Sequence, residues 1–208
     1  MMTLYEFAPT RSIRARWMLQ ELEVPFEAVT VNLLAGENHA KWFLDLNPAG
    51  KVPALVDGDV ILTESVAIVL YLAEKYPERG FAPADPAERA QMYRWLMFAA
   101  TELEQPLWRI AKHTALYPAA KRLPAEVPLA RADFAQMARV AEDHMESREF
   151  VVGDRVSAAD FVLAYTLDWA NEIGLLDDCP RLGDYLERMY QRPRAPMRIA
   201  SALDGIRA

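Results

Sequence analysis

The chain contains one cysteine, Cys179, and three histidines among its 208 residues. A single thiol excludes an internal disulfide framework and a Cys-x-x-Cys redox pair, and it fits a reducing compartment. His39, His113 and His144 lack the spacing of a ligand set, so no metal site is expected. Positive charge is also scarce: the formal net charge is −7, and no stripe of Lys and Arg offers a nucleic-acid footprint. Arg11, Arg14 and Arg16 form the densest basic cluster and read as a solvated helix face. No apolar run approaches the roughly 20 residues needed to cross a bilayer. No basic and apolar leader precedes Thr3-Leu4-Tyr5-Glu6-Phe7, so neither a secretory signal nor membrane association is expected, and a cytoplasmic location is. Repeats, low-complexity tracts and a Gly-rich phosphate loop are missing too.

What is present divides into two styles of pattern. Thr3 to Phe7 reads as a strand, a helix starting near Ser12 and ended by Val24-Pro25 buries Ile13, Trp17, Met18 and Leu22, and Phe26 to Val31 reads as a second strand. A short helical piece at Lys41 to Leu46 follows. Ala54 to Val56 and Val60 to Leu62 are strands joined through Asp57-Gly58, a dipeptide suited to the positive φ of a tight hairpin. A helix from about Glu64 to Tyr76 closes this part, with Ile68, Tyr71 and Leu72 on one face. The order βαβ then ββα is the thioredoxin-like arrangement.

Between Pro77 and Pro86, three prolines and a glycine predict a linker without regular structure. Beyond it every pattern is helical: Met92, Trp95, Leu96, Ala99 and Leu103 share one face, and Phe134, Met137, Ala138, Ala141 and Met145 another. The expected division is residues 1–77 as the α/β domain, 78–87 as linker and 88–208 as an all-α bundle. Ser157-Ala158-Ala159-Asp160 predicts a capping box, in which hydroxyl and carboxylate reciprocally satisfy the first N–H groups of a helix.

Gly50-Lys51-Val52-Pro53-Ala54-Leu55-Val56-Asp57-Gly58, followed by Thr63-Glu64-Ser65-Val66-Ala67-Ile68, is the most informative stretch. A Val-Pro at the mouth of a strand, a tight hairpin and an acidic-hydroxyl pair opening an apolar helix make a receptor for a short anionic peptide. Each piece also has a plainer reading. Pro53 would serve before an edge strand, Glu64-Ser65 as a helix cap, and Lys51 as a solvated lysine.

Asn47-Pro48-x-Gly50-Lys51-Val52-Pro53, Glu64-Ser65-x-Ala67-Ile68 with Tyr71-Leu72, and Ser157-x-x-Asp160 occur in an order and spacing that resemble the cytosolic glutathione S-transferase family over essentially the whole chain. The bacterial, serine/threonine-type, theta/nu-like members are the nearest in type. The resemblance implies that Pro53 is a cis-proline and that the main chain of Val52 holds the cysteinyl unit of glutathione, the co-substrate. It further implies that Ser65 meets the γ-glutamyl carboxylate, Glu64 the α-ammonium group and Lys51 the glycyl carboxylate. Catalysis then consists of keeping the glutathione sulfur as thiolate, since a free thiol near pKa 8.5 is mostly protonated at neutral pH. Lowering that pKa by two units requires roughly 2.7 kcal/mol. The hydroxyl responsible is sought in Phe7-Ala8-Pro9-Thr10-Arg11-Ser12-Ile13-Arg14. Ser12, placed as the helix cap, is slightly preferred over Thr10, four residues before Arg14.

Tyr5 reads as strand packing. No cysteine occupies the loop, which disfavours cysteine-type members and a thioredoxin-like oxidoreductase. The second pocket is expected along the helical half among Phe98, Leu107, Ile110 and, above all, Trp108, His113 and Tyr117, residues that core packing would also explain. The implied activity is attack of the thiolate on small hydrophobic electrophiles by a homodimer. Glutathione-dependent isomerisation, dehalogenation or reduction on the same site, and a non-catalytic binding protein, are the alternatives.

Overall fold

The computed structural model describes residues 1–207 and divides into two compact units. The first comprises Met1–Ala82 together with the segment from Tyr190 onward, and the second is Pro83–Met189. The boundary at Ala82 falls inside the expected linker. The C-terminal segment, expected with the helical bundle, groups with the α/β unit. Its attachment is electrostatic and aromatic. Arg192 donates two hydrogen bonds of 2.7 Å to the Glu21 carboxylate, Arg194 pairs with Glu23, and the Tyr190 ring lies 4.8 Å from that of Trp17.

In the first unit, β1 (Met2–Glu6), β2 (Phe26–Thr30), β3 (Ala54–Asp57) and β4 (Val60–Thr63) form one sheet in the order β2-β1-β3-β4. β1 runs parallel to β2 and antiparallel to β3, with Tyr5 opposite Ala54, and β3 is antiparallel to β4. This is the expected thioredoxin-like topology, with boundaries shifted by a residue or so. α1 (Ser12–Leu22) and α3 (Ser65–Lys75) pack against each other. α1 buries Ile13, Trp17, Met18 and Leu22, as its apolar spacing requires. Elsewhere Tyr5 packs with Val31, Phe43, Ala54 and Val52, close to α2 (Lys41–Leu44); its ring lies 6.3 Å from Phe43, so strand packing is its role. Gly58 supplies the positive φ of 61° that the Asp57–Val60 hairpin demands.

The second unit contains α4 (Pro86–Phe98), α5 (Glu104–Ala111), α6 (Glu126–His144), α7 (Ala158–Glu172) and most of α8 (Pro180–Tyr190); α9 (Ile199–Arg207) follows in the C-terminal segment. The predicted face Met92, Trp95, Leu96, Ala99 and Leu103 is buried throughout. The linker is more ordered than its prolines predict. Pro77–Arg79 makes a 3₁₀ turn, and α4 already begins at Pro86, where a missing N–H costs nothing in the first turn. Asp85 caps it, accepting from Ala87 and Glu88 N–H at 3.0 and 2.9 Å. α4 and α5 are separated by a π-helical stretch, Ala99–Leu103, and a second such stretch, Lys112–Leu116, follows α5.

The predicted capping box is present at α7 and is larger than the motif. Asp160, fully buried, accepts from Ser157 N–H and Ser157 Oγ, both at 2.8 Å, and from Val151 N–H and Tyr185 O–H, both at 2.9 Å. Burial pushes its carboxyl above the ordinary value while these four donors pull the other way.

Candidate functional site

The loop between β1 and α1 is held by its own hydroxyls. Thr10 Oγ1 and Ser12 Oγ lie 2.8 Å apart. Ser12 Oγ accepts the Phe7 N–H at 3.3 Å, Thr10 Oγ1 accepts the Ser12 N–H at 3.2 Å, and the Thr10 hydroxyl also donates to the Phe7 carbonyl. Ser12, expected as the helix cap, is instead the first helical residue, and Arg11 occupies the cap position without a side-chain cap bond. The reason is local: Thr10 takes the N–H of Ser12, and the Ser12 hydroxyl turns back to Phe7. Ser12 is 1% exposed, whereas Thr10 is only half-buried. Ala8–Pro9 at the start of this loop is cis, a feature the sequence reading did not anticipate.

The candidate tripeptide residues lie on a second loop of the same unit. Val52–Pro53 is cis, as expected. Val52 sits two residues before Ala54, the first paired residue of β3, so its main chain lies beyond the end of the ladder. The approach to it is pinned by Asn47, 5% exposed, whose Nδ2 donates to the Lys51 carbonyl at 2.6 Å, and by Asn38, which donates to the Gly50 carbonyl at 2.9 Å. Gly50 has φ 61°, and a Cβ there would meet the Asn38 carbonyl oxygen at 3.1 Å, so a larger residue would disturb the loop. Lys51 is exposed.

At the start of α3, Glu64 holds φ 67° and ψ 114°, a conformation unfavourable for a side chain with a Cβ, and it makes no side-chain cap bond. The plain capping reading of Glu64 therefore does not hold. Ser65 is buried, and its Oγ accepts from Arg14 Nη1 at 3.2 Å. Arg14 is itself 1% exposed, which corrects the solvated-face reading of the arginine cluster. Arg16 likewise pairs with Glu6. The guanidinium of Arg14 thus links the helix that follows the hydroxyl loop to the helix that opens with Ser65. Its signal in the sequence was its place beside Ile13 and four residues before Met18, within the apolar stripe of α1.

The residues expected along the helical half do not form one group. Leu107 and Ile110 are core, at 0% and 4% exposure, because the α5 stripe faces inward. Phe98 packs on Trp95 at 5.1 Å, and Trp108 meets Trp169 edge-on at 5.7 Å. His113 and Tyr117 are together, ring centroids 5.3 Å apart, and His113 Nδ1 accepts the Leu123 N–H at 3.0 Å. Among the described residues no group of His, Cys, Asp and Glu could hold a metal ion, and no helix is long and apolar enough to cross a membrane. Cys179 is buried, and burial pushes its thiol upward, away from the reactive thiolate.

Residues 1–74 match the family model described as glutathione S-transferase, N-terminal domain, and residues 100–188 match the C-terminal domain of the same family. Glutathione S-transferase F10 of Arabidopsis thaliana is 34% identical over 200 residues, which are 92% of this chain and 93% of that protein. A zeta-class glutathione S-transferase of Euphorbia esula is 36% identical over 162 residues, 76% of this chain and 70% of that one. A solved glutathione transferase from Methylococcus capsulatus superposes with a TM-score of 0.84 at 30% identity, covering 99% of this chain and 98% of that one. With the thioredoxin-like sheet, the cis Val52–Pro53 bend and the Ser65 helix already in place, these matches show that the chain belongs to the glutathione S-transferase family, an enzyme family that uses glutathione as co-substrate.

Proposed function

We propose that this chain conjugates glutathione to small hydrophobic electrophiles, with Thr10 as the hydroxyl that holds the thiolate and Ser12 as the group that orients it. The observation carrying this reading is the 2.8 Å contact between the two hydroxyls in a loop where the Phe7 and Ser12 N–H groups also donate to them. Phe7 N–H donates to Ser12 Oγ, leaving the Ser12 proton to point at Thr10 Oγ1, which already receives the Ser12 N–H. The Thr10 proton is then free to leave the Phe7 carbonyl for a nearby sulfur. Donors feeding a hydroxyl strengthen the bond it donates in turn. A charge-assisted bond of this kind, aided by the α1 N-terminus, is of the size needed to ionise a thiol near neutral pH.

In this reading Val52 presents its main chain to the cysteinyl unit and Ser65, with the α3 N-terminus behind it, receives the γ-glutamyl carboxylate. Glu64 faces the α-ammonium group and Lys51 the glycyl carboxylate. Arg14 secures Ser65 and adds positive potential at that end. The second-substrate residues are His113 and Tyr117, with Trp108 flanking. We further propose a cytoplasmic homodimer acting in detoxification. Support for association comes from exposed apolar side chains: Val60 and Ile61 on the edge strand β4, at 41% and 51%, and Tyr93 and Met97 on α4, at 37% and 47%.

The test is retention on immobilised glutathione, then turnover of a generic aryl halide and titration of the bound thiol in wild type, Thr10→Val and Ser12→Ala. A thiol pKa unchanged by both substitutions removes the proposed activation. Failure to bind the resin favours the non-catalytic reading, and sedimentation decides the dimer.

A further inference from the structure

Between Glu104 and Glu126 the chain has no acidic residue, the longest such gap in a sequence that carries 30 of them. The same stretch holds Arg109, Lys112, Lys121 and Arg122. Its second half folds back on itself as one hydrogen-bonded cap between α5 and α6. The Tyr117 N–H returns to the Lys112 carbonyl at 3.0 Å, Ala119–Lys121 makes a 3₁₀ turn, and the Leu123 N–H donates to His113 Nδ1. Arg122 ties the turn together, Nε donating to the Tyr117 carbonyl at 2.8 Å and Nη2 to the Ala115 carbonyl at 2.9 Å.

Every residue from 114 to 121 is exposed, and the cap turns apolar side chains outward: Leu116 and Leu123 are 57% and 58% exposed, with Tyr117 beside them. Its positive charge is not cancelled. Arg109 pairs with Glu126 and Asp133, which occupies the first acids beyond the gap. Lys112 and Lys121 make no ion pair among the described residues. The Lys112 ammonium lies over the Trp108 ring at 5.8 Å, and the bonds of Arg122 go to carbonyls, so both keep their charge against neutral partners.

Exposed leucines ringed by unpaired cations match the chemistry of an anionic bilayer surface. Leucine enters the acyl boundary, tyrosine sits at headgroup level, and lysine and arginine meet phosphates while their stems cover apolar area. A short exposed tip offers too little area for a specific protein interface of roughly 1,200–2,000 Å². We propose that the cap 112–123 docks this protein reversibly on anionic lipid, with Leu116 and Leu123 inserted and Lys112, Lys121 and Arg122 on the phosphates. Docking of this kind is peripheral and needs no spanning helix, of which there is none among the described residues. It departs from the expectation of no membrane association, which rested on the lack of a leader and of a long apolar run. It is independent of thiol chemistry.

The experiment is co-sedimentation of the full chain with vesicles of phosphatidylcholine alone, or mixed in equal parts with phosphatidylglycerol, at low and high salt. Wild type is expected to bind the mixed vesicles at least about tenfold more tightly than the neutral ones, a preference that high salt removes. Lys121→Glu reverses one cation and is expected to weaken binding about 25-fold, roughly fivefold for each unit of charge. Leu116→Ser combined with Leu123→Ser is expected to weaken it at least about tenfold. Arg155→Glu, the same reversal at another exposed position of the second unit, is expected to change binding less than about twofold, because separated surface charges are screened. The docking surface is overturned if both vesicle types bind equally, if Lys121→Glu binds like wild type, or if Arg155→Glu is as damaging as Lys121→Glu. It is also overturned if the leucine substitutions spare vesicle binding and instead dissociate an oligomer, which would assign the cap to a second copy of the chain. The lipid comparison and the two charge reversals decide the matter even if the leucine variant fails to fold.

Discussion

The serines at the starts of α1 and α7 are both flanked by other hydrogen-bonding groups, and they end in opposite conditions. At α7, Ser157 stands three residues before Asp160, whose carboxylate gathers four donors at zero exposure. At α1, Ser12 has no carboxylate partner among the described residues; its hydroxyl is chained to Thr10, which remains half-buried. A carboxylate offers about four acceptor sites and no proton, so a cluster built around one closes on itself. Two hydroxyls in series carry protons that rotate, so such a cluster keeps one direction open. The closed cluster is structural, and the open one is suited to hold a ligand anion.

The largest effect expected from breaking this contrast is at the closed end. Asp160→Ala leaves two N–H groups and two hydroxyls without their acceptor, and should cost about 3–5 kcal/mol in urea unfolding monitored on the helical unit. A loss below about 1 kcal/mol would mean that the network contributes little. At the open end the ranking of stability and function should invert. Thr10→Val should lower turnover of an aryl halide about 100-fold, matching a two-unit rise in thiol pKa, and change unfolding stability by less than about 1 kcal/mol. Thr10→Ser should recover most of the rate, and its failure to do so would argue for a steric role. Ser12→Ala, acting through Thr10, should cost about tenfold in rate.

A smaller effect tests the start of α3, also open and strained. Glu64→Gly relieves the positive φ and should stabilise the first unit by about 0.5–1 kcal/mol in thermal melts while weakening retention on immobilised glutathione. The smallest concerns pH. His144, whose Nε2 donates to the Val151 carbonyl at 2.8 Å, is pushed below the ordinary histidine value chiefly by burial, with Arg148 and Arg94 adding to the effect. A depressed histidine contributes stability that is full above the unfolded pKa near 6.5 and is lost as pH falls through the folded value. Melting temperature should therefore be flat above about pH 7 and decline below about 6.5, and His144→Gln should flatten that decline.

The contrast also explains what was legible in the chain. Ser157-x-x-Asp160 is a local motif whose partners are three residues apart, so its geometry follows from the helix itself, and it was readable as a cap. Tyr185 and Val151 complete it from outside the motif and left no sign. The hydroxyl loop shows the reverse: both Thr10 and Ser12 were identifiable, but which of them caps and which remains accessible depends on how the Phe7 peptide turns. Arg14 was misread because an arginine in a helix is ordinarily solvated; its contact with Ser65, 51 residues later, leaves no mark in the local pattern. The helical candidates dispersed because a 3.6-residue period marks which face is apolar without distinguishing core from pocket.

By itself, the sequence determined the strand and helix order, the hairpin at Asp57-Gly58, the Val52-Pro53 and Glu64-Ser65 elements and the capping box, because each depends on residues close together in the chain. Tertiary structure alone decided that Arg14 lies beneath Ser65, that the C-terminal segment leaves the helical bundle for α1, and that Glu6 neutralises Arg16. Those outcomes rest on charges that must find partners once water is excluded, and the partners lie far apart along the chain.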